Sequence, residues 1–247
     1  MNLTGNTIFI TGGGSGIGRG IAEAFHKLGN QVIISGRRKS ALEEATKANP
    51  GMASIELDIE NLASIQAAAK QLTSAYPGLN VLINNAGIML PDTAAEAQND
   101  AQLVSTVTTN FIGPLRVTSA LIELLKAQPS ATIIYNTSFL AFVPMAATSV
   151  YSATKAALHS YVLSQRFKLR NTPVKVIELA PPWVRTDLMN SREAEAAMPL
   201  DEFIQGAMQQ LGTDAEEILV GKAAQLRANP GPHEGAFVTQ YNASLPF

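Results

Sequence analysis

The sequence predicts one α/β domain, a doubly wound and mostly parallel sheet of seven strands with helices on both faces. Three observations carry this expectation. Short β-branched runs alternate with longer stretches of helical period. The first run leads straight into a glycine-rich turn and then a helix. Finally, 247 residues, 46% of them hydrophobic and 15% charged, suit a single globular core spanning residues 1–247.

The first strand is read at residues 7–10, followed by Thr11-Gly-Gly-Gly-Ser-Gly-Ile-Gly18 and a helix at 17–28. Glycine lets the backbone adopt positive φ and approach a ligand closely. The helix start aims free N–H groups and a positive dipole end at an anion. Gly12, Gly14, Ser15, Gly16, Ile17 and Gly18 are therefore expected to cradle a pyrophosphate. A second strand at 31–35 ends in Ser35-Gly-Arg-Arg38. Dinucleotide sites for NAD place a carboxylate near this point for the ribose 2′-hydroxyl. None occurs between Glu23 and Glu43. An arginine pairs bidentately with a 2′-phosphate, so Arg37 and Arg38 favour NADP, with NAD as the alternative.

A third strand at 53–57 precedes Asp58 and Ile59, and a helix follows at 62–75. The fourth strand, at 81–83, closes in Asn84-Asn85-Ala86-Gly87, where a glycine allows the chain to pass close to a cofactor and the asparagines can tie strands together. The helical stretch 97–126 contains Asn110 and Pro114. Proline has no N–H to bond the carbonyl four residues back, so a kink is expected to free the Asn110 carbonyl to hold a water.

The fifth strand, at 132–136, delivers Ser138 to the carboxyl edge of the sheet, where ligands of open α/β sheets bind. Its hydroxyl can donate to a substrate oxygen as charge develops. The helix 150–170 begins with Tyr151-Ser-Ala-Thr-Lys155. Residues four apart share a helix face, so the ammonium is expected to lower the phenol pKa and make Tyr151 a general acid–base. A sixth strand at 174–179 leads to Ala180-Pro-Pro-Trp-Val-Arg-Thr186. Residues 187–200 break the rhythm and read as a loop over the substrate side; the seventh strand is expected at 236–239.

The pattern Thr-Gly-x-x-x-Gly-x-Gly, the Asn-Asn-Ala-Gly closure and the spacing of Ser138, Tyr151 and Lys155 resemble the short-chain dehydrogenase/reductase family. The Pro181-Pro182 turn resembles its DltE-like branch of uncharacterised oxidoreductases. The resemblance implies a Rossmann-like fold and hydride transfer between NADP(H), or NAD(H), and a ketone, aldehyde or secondary alcohol. It implies that Asn110, Ser138, Tyr151 and Lys155 are catalytic, with a water on Asn110 relaying protons to the lysine. It further implies that Asp58 accepts from the adenine amino group beside Ile59. Asn85, Ala86 and Gly87 would flank the cofactor, joined by Tyr151 and Lys155. Pro181 would also contact the cofactor, and the Val184 backbone and Thr186 hydroxyl would hold the nicotinamide carboxamide. Many NADP-preferring relatives carry a basic residue where this chain has Ser15, which argues the other way on the phosphate. The alternative to an enzyme is a non-catalytic NADP-binding sensor or scaffold; sensors of that kind tend to lose the Tyr or Lys. A Rossmann-fold epimerase or dehydratase would carry a longer C-terminal domain.

The net charge of −2 gives no attraction to nucleic acid or anionic membrane, and the sequence contains no cysteine. His26, His159 and His233 show no ligand spacing and read as surface-helix residues, so no metal is expected. The N-terminus lacks a signal-peptide pattern, which points to the cytoplasm. Apolar walls are expected from Ile88, Met89, Leu90, Phe139, Phe142, Val143, Met145, Trp183, Leu188 and Met189, which suits a hydrophobic small-molecule substrate. Arg185 and Arg192 are the nearest candidates to clamp an acidic one. Relatives pair through the helices 97–126 and 150–170, so a homodimer or homotetramer is expected.

Overall fold

β-Branched and aliphatic runs dictate the sheet. In a computed structural model that describes residues 1–228 and 233–245, seven parallel strands line up in the order β3-β2-β1-β4-β5-β6-β7. They are β1 Thr7–Thr11, β2 Gln31–Gly36, β3 Ala53–Glu56, β4 Leu79–Asn84, β5 Ala131–Asn136, β6 Val174–Ala180 and β7 Glu217–Leu219. The central strands are apolar on both sides, as a sheet covered on two faces requires. Ile8 and Ile10 of β1 face one core with Ile21, Ala22 and Phe25, whereas Phe9 faces the other with Leu121 and Ile133.

Helices α1 Gly16–Lys27, α2 Lys39–Ala48 and α7 Leu200–Leu211 cover the first face. The second is covered by α3 Leu62–Ala75, α5 Gly113–Lys126 and α6 Ser149–Leu169. Ahead of α5 lie α4 Asp100–Val107 and a wide π-turn, Thr108–Ile112. The chain thus leaves α register around Asn110, just before Pro114, as expected from the missing proline N–H. Gly113 lets this turn close on the sheet, because a Cβ there would stand 2.6 Å from Ile59 Cγ1.

The connections diverge between neighbours β1 and β4, so the crevice opens at their carboxyl ends. The glycine turn and the Asn-Asn-Ala-Gly closure both emerge there. Among the described residues, no helix is long and apolar enough to cross a membrane.

One strand was misplaced by the sequence. Residues 236–239 lie inside a helix, α9 Glu234–Ala243, that leaves the sheet altogether. The seventh strand is instead Glu217–Leu219, paired Glu178↔Glu217, Leu179↔Ile218 and Ala180↔Leu219. A four-residue β-branched run carries too little periodicity to separate strand from helix. Three residues become a strand here because Ile218 fills the core beside Phe203 and Leu211. The short helices α2, α7 and α8 Lys222–Arg227 were not legible in advance.

Candidate active site

A single cavity of about 880 Å³ runs along the carboxyl edge of the sheet, from the glycine turn to the C-terminal helix. Its phosphate end is built from main chain. Gly12 and Gly16 take φ of +68° and +53°. A Cβ on Gly12 would sit 2.9 Å from Ala86 Cα, and one on Gly18 would clash with Gly12 O and Asn85 Nδ2. The first turn of α1 is left open toward the cavity, and Gly14, Ser15, Gly16, Ile17 and Gly18 all line it. An elongated anion-bearing dinucleotide fits this cradle: side chains are excluded, and a helix start faces the space.

Polar side chains lock the floor. Thr11 Oγ1 accepts from Asn85 N at 3.0 Å and Ala86 N at 3.1 Å. Asn85 Nδ2 donates to Thr11 O and Gly12 O, and Asn136 Nδ2 donates to Asn85 Oδ1 at 2.7 Å. β1, β4 and β5 are therefore tied together at their ends, with Ala86 and Gly87 against the cavity. Thr11 and Asn136 were missed by sequence reading; their role is visible only once three strands are neighbours.

At the far end of the glycine turn, Arg38 Nη2 donates to Ser15 Oγ at 2.9 Å. Arg37 also lines the cavity, but its guanidinium is shared with Glu60 at 3.3 Å. Ile59 lines the cavity and Asp58 does not; its carboxylate accepts from Glu60 N and caps the turn. Across the crevice, Pro181, Val184 and Thr186 line the opposite wall, with Thr186 Cγ2 in van der Waals range of a Cβ on Gly16.

The catalytic candidates converge on the other end. Ser138, Tyr151 and Lys155 line the cavity and all three are buried. The start of α6, which sets Tyr151, is capped by a residue that sequence reading overlooked. The Asp92 carboxylate accepts from Ser149 N at 3.0 Å, Val150 N at 2.9 Å and the Ser149 hydroxyl. Carboxylate at a helix N-terminus is a favourable placement. Lys155 Nζ donates to Asn136 O at 2.7 Å and stands 5.5 Å from the centroid of the Tyr151 ring.

The electrostatics differ from the sequence expectation. Burial pushes the Tyr151 phenol up to about 12, and the Ser138 hydroxyl only partly opposes this. The same burial drives Lys155 down to about 8, partly opposed by the charge of Glu178. Desolvation outweighs the anticipated pull of the lysine on the phenol, because the ammonium is turned onto a main-chain carbonyl.

Asn110 is fully buried behind this surface and does not line the cavity. Its side chain clamps both peptide groups flanking Ile88: Nδ2 donates to Ile88 O and Oδ1 accepts from Ile88 N, each at 2.8 Å. It thereby fixes Gly87, where a Cβ would stand 3.3 Å from Asn110 Oδ1 and 3.7 Å from Lys155 Nζ.

The cavity wall at this end, the candidate substrate side, is largely apolar and comes from distant segments. Ile88, Met89, Phe139, Met145, Trp183, Leu188 and Met189 line it as expected, while Leu90, Phe142 and Val143 do not. Val143 is sealed in the core, and Phe142 lies under the Arg227 guanidinium and against the His159 ring. In their place Tyr241 and Leu245 close the wall from α9 and the residues after it. Asn242 anchors that helix, donating to Pro144 O at 3.0 Å and accepting from Ala146 N at 2.5 Å, and Tyr241 meets Phe139 edge-to-face. Of the 187–200 segment, Asp187, Leu188 and Met189 line the cavity, and the chain turns at Met189 and Asn190 with φ of 55° and 51°. Arg185 staples it by donating to the carbonyls of Ala194, Glu195 and Ala197, and Arg192 pairs with Asp187. Neither arginine lines the cavity. His159, expected as an isolated surface-helix residue, is instead partly buried and bonded to Glu178 at 2.7 Å.

Residues 6–197 match the family described as short chain dehydrogenase. An uncharacterized oxidoreductase of Bacillus subtilis (strain 168), DltE, is 37% identical over 233 residues, covering 92% of each chain. An uncharacterized oxidoreductase of Staphylococcus aureus (strain N315) is 31% identical over 186 residues, or 74% of this chain and 80% of the relative. Among solved structures, a short chain dehydrogenase from Burkholderia cenocepacia J2315 in complex with NADP superposes over 100% of both chains, with a TM-score of 0.84 and 26% identity. One from Burkholderia phymatum in complex with NAD, at 20% identity and a TM-score of 0.85 over 100% and 99% of the chains, shares the fold. The chain is a Rossmann-fold oxidoreductase belonging to the short-chain dehydrogenase/reductase family, with a DltE-like relative.

Proposed function

We propose that this protein reduces ketones or aldehydes, or oxidises the matching secondary alcohols, with NADP(H) as the preferred cofactor and NAD(H) as the alternative. The carrying observation is that one cavity joins the glycine cradle to buried Ser138, Tyr151 and Lys155. The nicotinamide dinucleotide, when bound, supplies or accepts the hydride. The backbone of Gly12 to Gly18 holds the pyrophosphate. Arg38, directed along the turn to Ser15, holds a 2′-phosphate, and Arg37 assists from its pairing with Glu60. Val184 and Thr186 orient the ring carboxamide.

Ser138 donates a hydrogen bond to the substrate oxygen, where charge develops. Tyr151 gives that oxygen its proton in reduction and removes it in oxidation. Its raised pKa keeps the phenol protonated near neutral pH, which suits reduction. Lys155, held by Asn136 O, supports the phenolate once the proton has left. Asn110 positions Gly87 and Ile88 beside the lysine, and its main-chain carbonyl in the π-turn is the proposed seat of a relay water. The apolar wall, with Arg185 and Arg192 engaged elsewhere, favours an uncharged hydrophobic substrate.

The test is NADPH and NADH oxidation with a panel of apolar ketones and aldehydes, comparing wild type with Tyr151→Phe. The variant should bind NADPH normally by fluorescence yet lose about 10²- to 10⁴-fold in kcat, the range of one general acid–base. Equal activity in both proteins, or inactivity of both across a broad panel, would sink the assignment. Tight NADPH binding without turnover would replace it with the sensor reading.

A further inference from the structure

Glu178 lies on β6 with no exposed surface, beneath the site and without a part in the chemistry above. A buried carboxylate is costly unless it is paired and hydrogen-bonded. Glu178 has partners on both oxygens. Thr137 Oγ1 donates to Oε1 at 2.6 Å, and His159 Nδ1 pairs with Oε2 at 2.7 Å. Those partners belong to the two elements that carry the reacting groups. Thr137 immediately precedes Ser138 at the end of β5. His159 is one helical turn beyond Lys155 and two beyond Tyr151 on α6.

The end of β5 is thus fastened to α6 at two consecutive residues. Lys155 holds Asn136 O, and His159 holds Thr137 through Glu178. Outer contacts fix the histidine in turn. Its ring makes a T-shaped contact with Phe142, centroids 5.1 Å apart, and the Arg227 guanidinium lies over the Phe142 ring at 4.6 Å. Arg227 also pairs with both oxygens of Glu217 at 3.1 Å, and Glu217 neighbours Glu178 across the sheet. Arg227 thus pairs with one member of a cluster in which ligand atoms of His159, Glu178 and Glu217 lie within 4.8 Å of one another.

We infer that Glu178 is a positioning residue for the reaction: its carboxylate bridges Thr137 to His159, setting the distance between Ser138 and Tyr151, and serves as the counter-charge of Lys155. The second role rests on placement: Glu178 holds Thr137, the residue after Asn136, whose carbonyl receives Lys155 Nζ, and the electrostatics of the lysine, which burial pulls down and Glu178 pushes up, agree with it. The other groups facing Lys155 are Tyr151 on its own helix, Asn136 O from β5 and the backbone of Gly87. Glu178 is thus the carboxylate that acts on it, and no other residue of the cluster reaches both the Ser138 strand and α6.

The inference rests on the proposed roles of Ser138, Tyr151 and Lys155, so its test includes a readout independent of turnover. That readout is the pH dependence of Lys155 labelling by an amine-reactive reagent, followed by mass spectrometry on the full chain. Glu178→Gln keeps the shape and removes the charge. It should lower kcat about tenfold, the factor of one ordinary hydrogen bond, with KM for NADPH little changed. Its Lys155 labelling midpoint should move to lower pH, and the pH–rate profile with it. Thr137→Val keeps the charge and cuts one tie, so it should lower kcat with the labelling midpoint fixed. A Glu178→Gln protein matching wild type in kcat and labelling midpoint overturns the inference. If that variant does not fold, an unchanged kcat in Thr137→Val overturns it instead. A shifted midpoint in a chain that turns over no carbonyl faults the proposed reaction and leaves the counter-charge role standing.

Discussion

At the glycine-turn end of the cavity the protein presents main chain; at the Ser138–Tyr151 end it presents side chains taken out of water. The first end works by leaving room, since a Cβ on Gly12 or Gly18 would strike Ala86, Asn85 or Gly12 itself. The second works by burying an ammonium and a phenol at a cost, with Lys155 driven down to about 8 and Tyr151 up to about 12. A backbone cradle is insensitive to pH and intolerant of added volume. A buried side-chain site adds sensitivity to pH, because its groups titrate out of water, and that contrast can be tested at both ends.

The largest expected effect is at the side-chain end. The unfolded chain holds the Lys155 proton up to its ordinary value near 10.5, whereas the folded chain releases it from about 8. Between those values the unfolded state binds more protons, so stability should rise with pH, by roughly 3 kcal/mol if the full shift is expressed. Tyr151 acts in the opposite sense above pH 10, where the folded chain keeps a proton that the unfolded chain has lost. Urea melts from pH 7 to 10 should show the rise in wild type and a flatter curve in Lys155→Met. An equally steep rise in the variant would move the effect to another group.

Gly18→Ala probes the cradle. The added methyl meets Gly12 O and Asn85 Nδ2, and neither can move without disturbing the ties to Thr11. Overpacking of this kind costs about 2 kcal/mol. The loss should be the same at pH 7 and pH 10 in denaturant melts and should be accompanied by weaker NADPH binding. Wild-type stability would show that the turn has slack.

The smallest effect sharpens the comparison within the side-chain end. Tyr241→Ala removes wall and leaves Ser138, Tyr151 and Lys155 in place. kcat/KM should shift by about tenfold toward bulkier apolar ketones, with NADPH affinity and the pH–rate profile unchanged. Identical substrate preference in the variant would take α9 out of the substrate wall.

How much of this was legible in advance follows the same division. The glycine turn, the Asn-Asn-Ala-Gly closure and the Tyr151–Lys155 pair are each local in sequence, and local geometry fixes what they do. Six strands and the long helices were readable because their apolar periodicity is sustained. The π-turn at Asn110 could be anticipated because the missing proline N–H is a covalent fact. Phe142 was misplaced because its ring packs under the Arg227 guanidinium and against His159, both remote from it in sequence. The phenol was expected to titrate low, from the spacing of Tyr151 and Lys155 alone. Its real environment includes dryness and a main-chain acceptor for the lysine, which spacing does not encode.

By itself, the sequence determined the strands up to β6, the glycine turn and the candidate reacting groups, since each depends on covalent geometry and short-range periodicity. Tertiary structure decided the rest. It chose Glu217–Leu219 over 236–239 as the last strand, because one fills the core and the other does not. It brought Tyr241 and Leu245 to the substrate wall, and it joined Thr137, His159 and Glu178 under the site. Packing and desolvation depend on which distant segments meet, and a linear pattern records neither.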